Sequence, residues 1–481
     1  MQSSQLPIFL LCVASACGPN LALPPAPLVP VSDGASFAEG CNGPVQPGVR
    51  SPGAAVEPFV VVDPNNPRHL IGAWQQDRWA FGGGADGLRS AVSWDGGKTW
   101  TLSTAPLSRC AGGTSANGGE YDRSSDPWLA FAPDGTAFES SISYDLVDPA
   151  QATAVLVSRS TNGGTSWEDP VTLIRDLQGG DVLNDKESIT ADPFDPQRAY
   201  AIWDRVSGLL SPDPTQIRGP TWFARRVGGV WEGAHSIFDP GLNQQTIGNQ
   251  IGVLPDGTLL DVMVWLTNAS SAALVGKVAV LRSEDHGATW SAPIVISSLQ
   301  TVGVLNYKNG FNIRVGDAVP NIAVDPVSGQ VYVIWQDARS SQGAHNGIVL
   351  STSVDRGENW STPVQVNQAP AAPAFVPAVA VGRGVVAVSY YDLRNDSPGD
   401  ARHLVATGWL AQSADHGQTW GEAALTQPFD LSASRVGDDY LFLGDYQGLA
   451  ATADGFLSFL ALANALPTSN PTEVEAEPFI P

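Results

Sequence analysis

The chain has 481 residues, of which 43% are hydrophobic and only 15% charged, with 50 Gly, 37 Pro and 15 Trp against 2 Met. The 25 Lys and Arg against 48 Asp and Glu give a formal charge of -23, which repels phosphate backbones and anionic membrane surfaces, so nucleic-acid binding is excluded as a main role. Gly and Pro at this density interrupt long helices, and the composition points to many short strands joined by turns.

Met1 to Cys17 contains an apolar run, Leu6 to Ala16, with small residues before Cys17, and reads as an export signal. Ala14-Ser15-Ala16-Cys17 resembles the bacterial lipoprotein signal, which implies lipidation at Cys17; plain secretion is the alternative. A Pro-rich arm follows to residue 55. No further segment approaches the length of a membrane span, so the expected location is outside the cell, either free or lipid-anchored at the envelope. In the mature chain Cys41 and Cys110 remain, and an even pair in an exported protein suggests a disulfide between them. The six His show no zinc spacing, and no metal or cofactor is expected.

The body of the chain is a repeat. Ser93 to Trp100, Ser160 to Trp167, Ser283 to Trp290, Ser353 to Trp360 and Ser413 to Trp420 share S-x-[DN]-x-G-x-x-W, and Ala224 to Trp231 is a degenerate copy. Such a motif is a hairpin end: the Asp or Asn accepts backbone N–H bonds, Gly supplies positive φ and Trp packs over the turn. A second pattern, an apolar strand, a turn and a strand ending in an aromatic, begins at Glu57, Asp126, Glu187, Gln250, Val319, Val376 and Asp445. Six intervals over 388 residues give about 65 residues per unit, enough for four short strands. The box motif resembles the Asp-box, or BNR repeat, of the sialidase superfamily. That resemblance implies an all-β, single-domain β-propeller of four-stranded blades over residues 56–481, with the boxes on the face opposite the site. Seven blades are expected, with six as the alternative because sialidases have six.

Strand starts and second-strand ends share one rim of such a fold, and there aromatic and charged residues collect. Aromatic platforms, carboxylates and Arg forks suit carbohydrate. The bland reading is that each Asp-Arg pair merely ties neighbouring units together. Trp74, Asp77, Asp126 and Trp335 are candidate contacts, with Arg205, Arg339 and Arg394 as candidate carboxylate ligands. The resemblance implies Arg78 as a further carboxylate ligand and Asp86 as acid/base. It also implies a Tyr nucleophile paired with Glu, for which Tyr446 with Glu187 is the candidate and Tyr391 the rival. The chain departs from sialidases at Val56-Glu57-Pro58-Phe59, where their first Arg would stand. The expected function is an exported, monomeric sialidase-like glycoside hydrolase acting on terminal, acidic sugars of glycans. A non-catalytic glycan- or protein-binding propeller and a polysaccharide lyase are the alternatives.

Overall fold

The computed structural model describes residues 27–43, 45–147, 151–177, 180–271, 275–436, 440–464 and 470–479. The export signal and Cys17 lie outside the described residues. Among those described there is no α-helix, and every long element is a strand.

Among the described residues the strands assort into successive antiparallel units. The first contains Ala55–Asp63, Asn66–Arg78, Ala85–Ser93 and Thr101–Ser103, each paired with the next. The second runs from Arg123–Phe131 through Ala137–Tyr144 and Thr153–Ser160 to Val171–Asp176. Later units begin at Val182–Ala191, Gln244–Val253, Asn321–Val324, Ala374–Gly382 and Gly448–Ala451. These first strands touch one another in cyclic order, and that of the last unit touches that of the first, so they line a common axis. In the last unit Thr472–Phe479 pairs with Phe456–Ala463, and the outer place is taken by Val29–Pro30 from the N-terminal arm. Each sheet buries both faces against its neighbours, which is why its strands read as nearly continuous apolar runs such as Val331–Asp337.

Five first strands share one irregularity. Their registers slip by one residue, two residues facing one on the partner strand, at Glu57-Pro58, Asp126-Pro127, Lys186-Glu187, Gly248-Asn249 and Val376-Pro377. The first residue of each pair has a left-handed backbone, with φ of 53°, 56°, 49°, 71° and 51° in that order. An extra residue in one strand of a pair bends it and re-aims a side chain. Most strands therefore start two to six residues before the positions at which the sequence pattern begins, because the pattern's periodicity resumes only after the bulge.

The box turns are built by hydrogen bonds. Asp285 Oδ1 accepts from Thr289 N at 2.8 Å, and Gly287 N donates to Ser283 Oγ at 2.8 Å. Asn162 substitutes in the second box, accepting from Ser166 N at 3.0 Å. Ser93 pairs with Leu70, so the first box lies at the end of its sheet remote from Arg78.

Two insertions interrupt the repeat. Val304–Asn306 and Phe311–Arg314 pair together, and Phe311–Arg314 runs parallel to Tyr440–Phe442, which pairs with Arg435–Val436. This small mixed sheet brings Arg314, Tyr440 and Phe442 to the rim formed by the strand ends.

Candidate functional site

At that rim a cavity of about 380 Å³ is lined by Arg78, Asp126, Tyr144, Asp185, Lys186 and Arg314 among others. Its floor is an ion cluster. Lys186 Nζ lies 2.8 Å from Asp445 Oδ2, 3.2 Å from Asp126 Oδ2 and 3.9 Å from Glu57 Oε1. Arg314 Nε donates to Asp445 Oδ1 at 2.9 Å and its Nη2 to Oδ2. The bulges accompany this meeting: Glu57, Asp126 and Lys186 are the left-handed residues of the first three units, and their side chains come together in the cluster.

The charges of the cluster are unequal. Burial pushes the Glu57 carboxyl up to about 8 against the pull of Lys186, with Asp126 and Asp445 adding to the rise, so it is neutral at pH 7. Burial would also raise Asp126, but Lys186 and the Ser125 hydroxyl, which donates to Oδ1 at 2.7 Å, hold it below its ordinary value. Asp445 is likewise lowered, burial being outweighed by Arg314 and Lys186. Asp185 moves the other way: burial raises it, Lys186 opposes and Asp126 adds. Directly across the strand pair stands Asp204, fully buried, with neither carboxyl oxygen hydrogen-bonded and a proton affinity pushed far up by burial and by Asp185. The cavity thus carries one carboxyl held down by its neighbours, Asp126, and one pushed up by burial, Asp185.

Arg78 is 1% exposed and makes no ion pair with a carboxylate among the described residues. Its Nη1 donates to Gln75 Oε1 at 2.6 Å, its guanidinium lies 4.7 Å from the Phe442 ring centre, and its Nε has no acceptor. Arg314 lies 5.0 Å from the same ring. A buried cation without an anion is costly unless a ligand supplies one.

Beneath the ion cluster the axis is closed by rings. Phe59 stacks on Trp128 at 4.0 Å, and Tyr446 meets Trp128 at 5.2 Å. A separate, mainly apolar cavity of about 410 Å³ lies below them.

Several sequence expectations are corrected by these placements. Tyr446 belongs to the aromatic layer, its hydroxyl donating to Pro127 O at 3.3 Å, and burial pushes its proton affinity far up. Glu187, its expected base, is raised well above its ordinary value by burial and by Asp126, which disfavours its charged form. Tyr391 is buried in a different cluster and donates to Ala461 O at 2.8 Å. Asp86 is closed over by the arm, accepting from Arg50 Nε at 2.5 Å, Trp79 Nε1 at 2.8 Å and Asn42 Nδ2 at 3.1 Å. Asp77 accepts from Arg50, Gly53 N and Phe37 N beside it.

The arginines do not converge. Arg205 is engaged by Asp176 of the preceding unit, and Arg339 by Asp337 and Arg394 by Asp392 and Glu422 within their own units. Trp74 and Trp335 are sheet-packing residues at 0% and 1% exposure, so neither offers a face to a sugar. Cys41 and Cys110 are bridged, with Cα atoms 4.9 Å apart. Of the expected residues, the cavity brings together Arg78 and Asp126. Asp185 also lines the cavity. Its signal in the sequence is Asp185-Lys186-Glu187, three charges in a buried strand.

No protein-family model matches the chain, and none of the curated proteins matches it. Among solved structures, a Hadza microbial sialidase is similar, at 16% identity and a TM-score of 0.45, over 74% of this chain and 65% of its own. This chain therefore spans just under two thirds of that sialidase. The α-L-arabinofuranosidase of Fusarium graminearum is similar at 13% identity and 0.46, over 76% and 92% of the two chains. The α-L-arabinanase of Penicillium chrysogenum is similar at 13% and 0.44, over 95% and 98%.

Proposed function

We propose that the protein is an exported glycoside hydrolase, a seven-bladed propeller of the sialidase superfamily type with its boxes on the face away from the site, that cleaves a terminal acidic sugar from its aglycone. The observation that carries this reading is the 380 Å³ cavity, where two carboxyl groups with opposite proton affinities stand beside an unpaired buried Arg78. Arg78 and Arg314 hold the sugar carboxylate. Asp185 gives its proton to the glycosidic oxygen as the C–O bond breaks, and Asp126 takes a proton from the water that adds to the sugar carbon. The absence of a converging Arg triad separates this site from the sialidase pattern, so the sugar need not be a sialic acid. The protein acts as a monomer outside the cell, released or held by a lipid on Cys17.

The test is turnover on a panel of chromogenic sialosides, uronides and arabinofuranosides. Activity on an acidic member, with a bell-shaped pH profile whose alkaline limb disappears in Asp185→Asn together with roughly 100-fold or more of kcat, is expected. No turnover on any member overturns the reading. A non-catalytic sugar-binding role is favoured by one feature, the engagement of Asp126 and Asp445 by Lys186, and it predicts binding without turnover. Lyase chemistry is disfavoured, because Tyr144, the phenol in the cavity, is pushed up to about 12 by burial and donates to Gly82 O at 3.0 Å.

A further inference from the structure

The outer wall of the same cavity is aliphatic. Leu183 and Leu209 line it, at 37% and 41% exposure, and Leu210 beside them is 66% exposed. Val147 and Phe81, each next to cavity-lining residues, are also exposed. Large apolar side chains held in water at one place mark a surface that meets something apolar. This loop is held in that state: Leu210 N donates to Asp181 Oδ1 at 3.0 Å, Ser211 N donates to Gly208 O at 3.2 Å, and Pro212 and Pro214 limit the backbone beyond. The leucines are presented outward by backbone hydrogen bonds rather than left loose.

The chemistry of the wall selects among occupants. A glycan chain continuing outward would need stacking rings and hydrogen-bond partners, whereas leucine and valine offer neither. The inner end of the cavity, with Arg78 free of a carboxylate partner, suits an anionic head. Head and wall together describe an amphiphile. We infer that the aglycone of the substrate is an alkyl or acyl chain lying along Leu183, Leu209 and Leu210, with the acidic sugar at Arg78. This inference rests on the glycosidase reading for the sugar end and stands on the leucines for the other.

The experiment compares methyl and octyl β-D-glucuronide by calorimetry, below the micelle concentration of the octyl compound. Octyl glucuronide binding about 30-fold or more tighter than methyl is expected from partial burial of seven added methylenes. In a Leu183→Ser, Leu210→Ser double variant the ratio of the two affinities falls towards one. Val327→Ser, at a 91% exposed turn residue of another unit, leaves it unchanged. Equal affinities in the wild type, or a ratio untouched by the double variant, overturn the inference. Response only to vesicles or micelles also overturns it and makes the leucines a membrane contact. If neither glucuronide binds, the acidic-head reading fails, and 1-octanol decides the wall separately: saturable octanol binding lost in the double variant sustains it, and no octanol binding overturns it. Hydrolysis of methyl glycosides without chain preference would leave the enzyme reading standing while this one falls.

Discussion

Asp285 shows how single side chains set the acid tolerance of the molecule. The Thr289 side chain, against the opposing effect of burial, and then the Thr289 amide hold its carboxyl down at about 2, and Asp95 and Asp355 are lowered by equivalent bonds in their own boxes. A carboxyl whose proton affinity falls on folding contributes stability above its unfolded value and loses it as pH drops to the folded one. Thermal melting is therefore expected to be flat between pH 5 and 7 on account of these groups and to fall between about pH 4 and 2. Asp285→Ala costs about 1–2 kcal/mol at pH 7 in chemical denaturation, and Asp285→Asn, which the Asn162 box shows to be a workable substitute, costs less. These residues were readable in the sequence because the motif is local: its Ser, Asp, Gly and Thr bond to one another within five residues. The cavity was less readable because Arg78, Asp126 and Asp185 come from three separate units and Arg314 from an insertion, and residue spacing says nothing of where bulges aim them. Arg78→Met is expected to weaken binding of an acidic sugar by about 10-fold or more while retaining the fold's melting temperature within a few degrees, checked by calorimetry and circular dichroism.

Among the elements, the first strands carry the strain of the site. Gly248 occupies the bulge position with φ of 71°, and a Cβ there would sit 3.0 Å from Val319 Cα and 3.1 Å from Ala318 O. Gly248→Ala is expected to destabilise by about 1–3 kcal/mol, read from urea unfolding, because neither the backbone conformation nor the backbone neighbours can give way. Glu57, Asp126, Lys186 and Val376 adopt the same conformation without glycine's freedom, and three of them are the ones whose charges meet on the axis. The alternation of strands and turns was legible, since Pro-Asp-Gly and Asp-Pro turns separate apolar runs. The bulges were not, because one inserted residue leaves hydrophobic periodicity almost unchanged on either side. The insertion sheet was illegible for a related reason: Phe311–Arg314 and Tyr440–Phe442 are short, fall between repeats and pair over a separation the pattern does not span.

On the scale of the whole molecule, the ring of units is fastened by the arm. Val29–Pro30 supplies the outer strand of the last unit, Ser32 Oγ accepts from Val474 N at 2.9 Å, and the Cys41–Cys110 bridge fixes the arm to the first unit across 69 residues. Reduction of that bridge is expected to cost about 2–4 kcal/mol and to lower the melting temperature without changing the strand content seen by circular dichroism. The repeat made a ring of antiparallel units foreseeable, since each pattern copy is an apolar strand, a turn and a second apolar strand. The arm's role in covering Asp86 was not, since Arg50 and Asn42 are far from it in sequence.

The layered axis has a kinetic consequence. Lys186 with its carboxylates and, behind them, Phe59, Trp128 and Tyr446 pack across the axis among the described residues, so the expected way in and out of the chamber is its side at the rim. A reaction run there obliges the cleaved sugar to depart by the route the next substrate must take. The freed acidic sugar should act as a purely competitive inhibitor, raising the apparent KM in progress curves and leaving kcat untouched, and traffic through the doorway rather than bond cleavage would then govern turnover at high conversion.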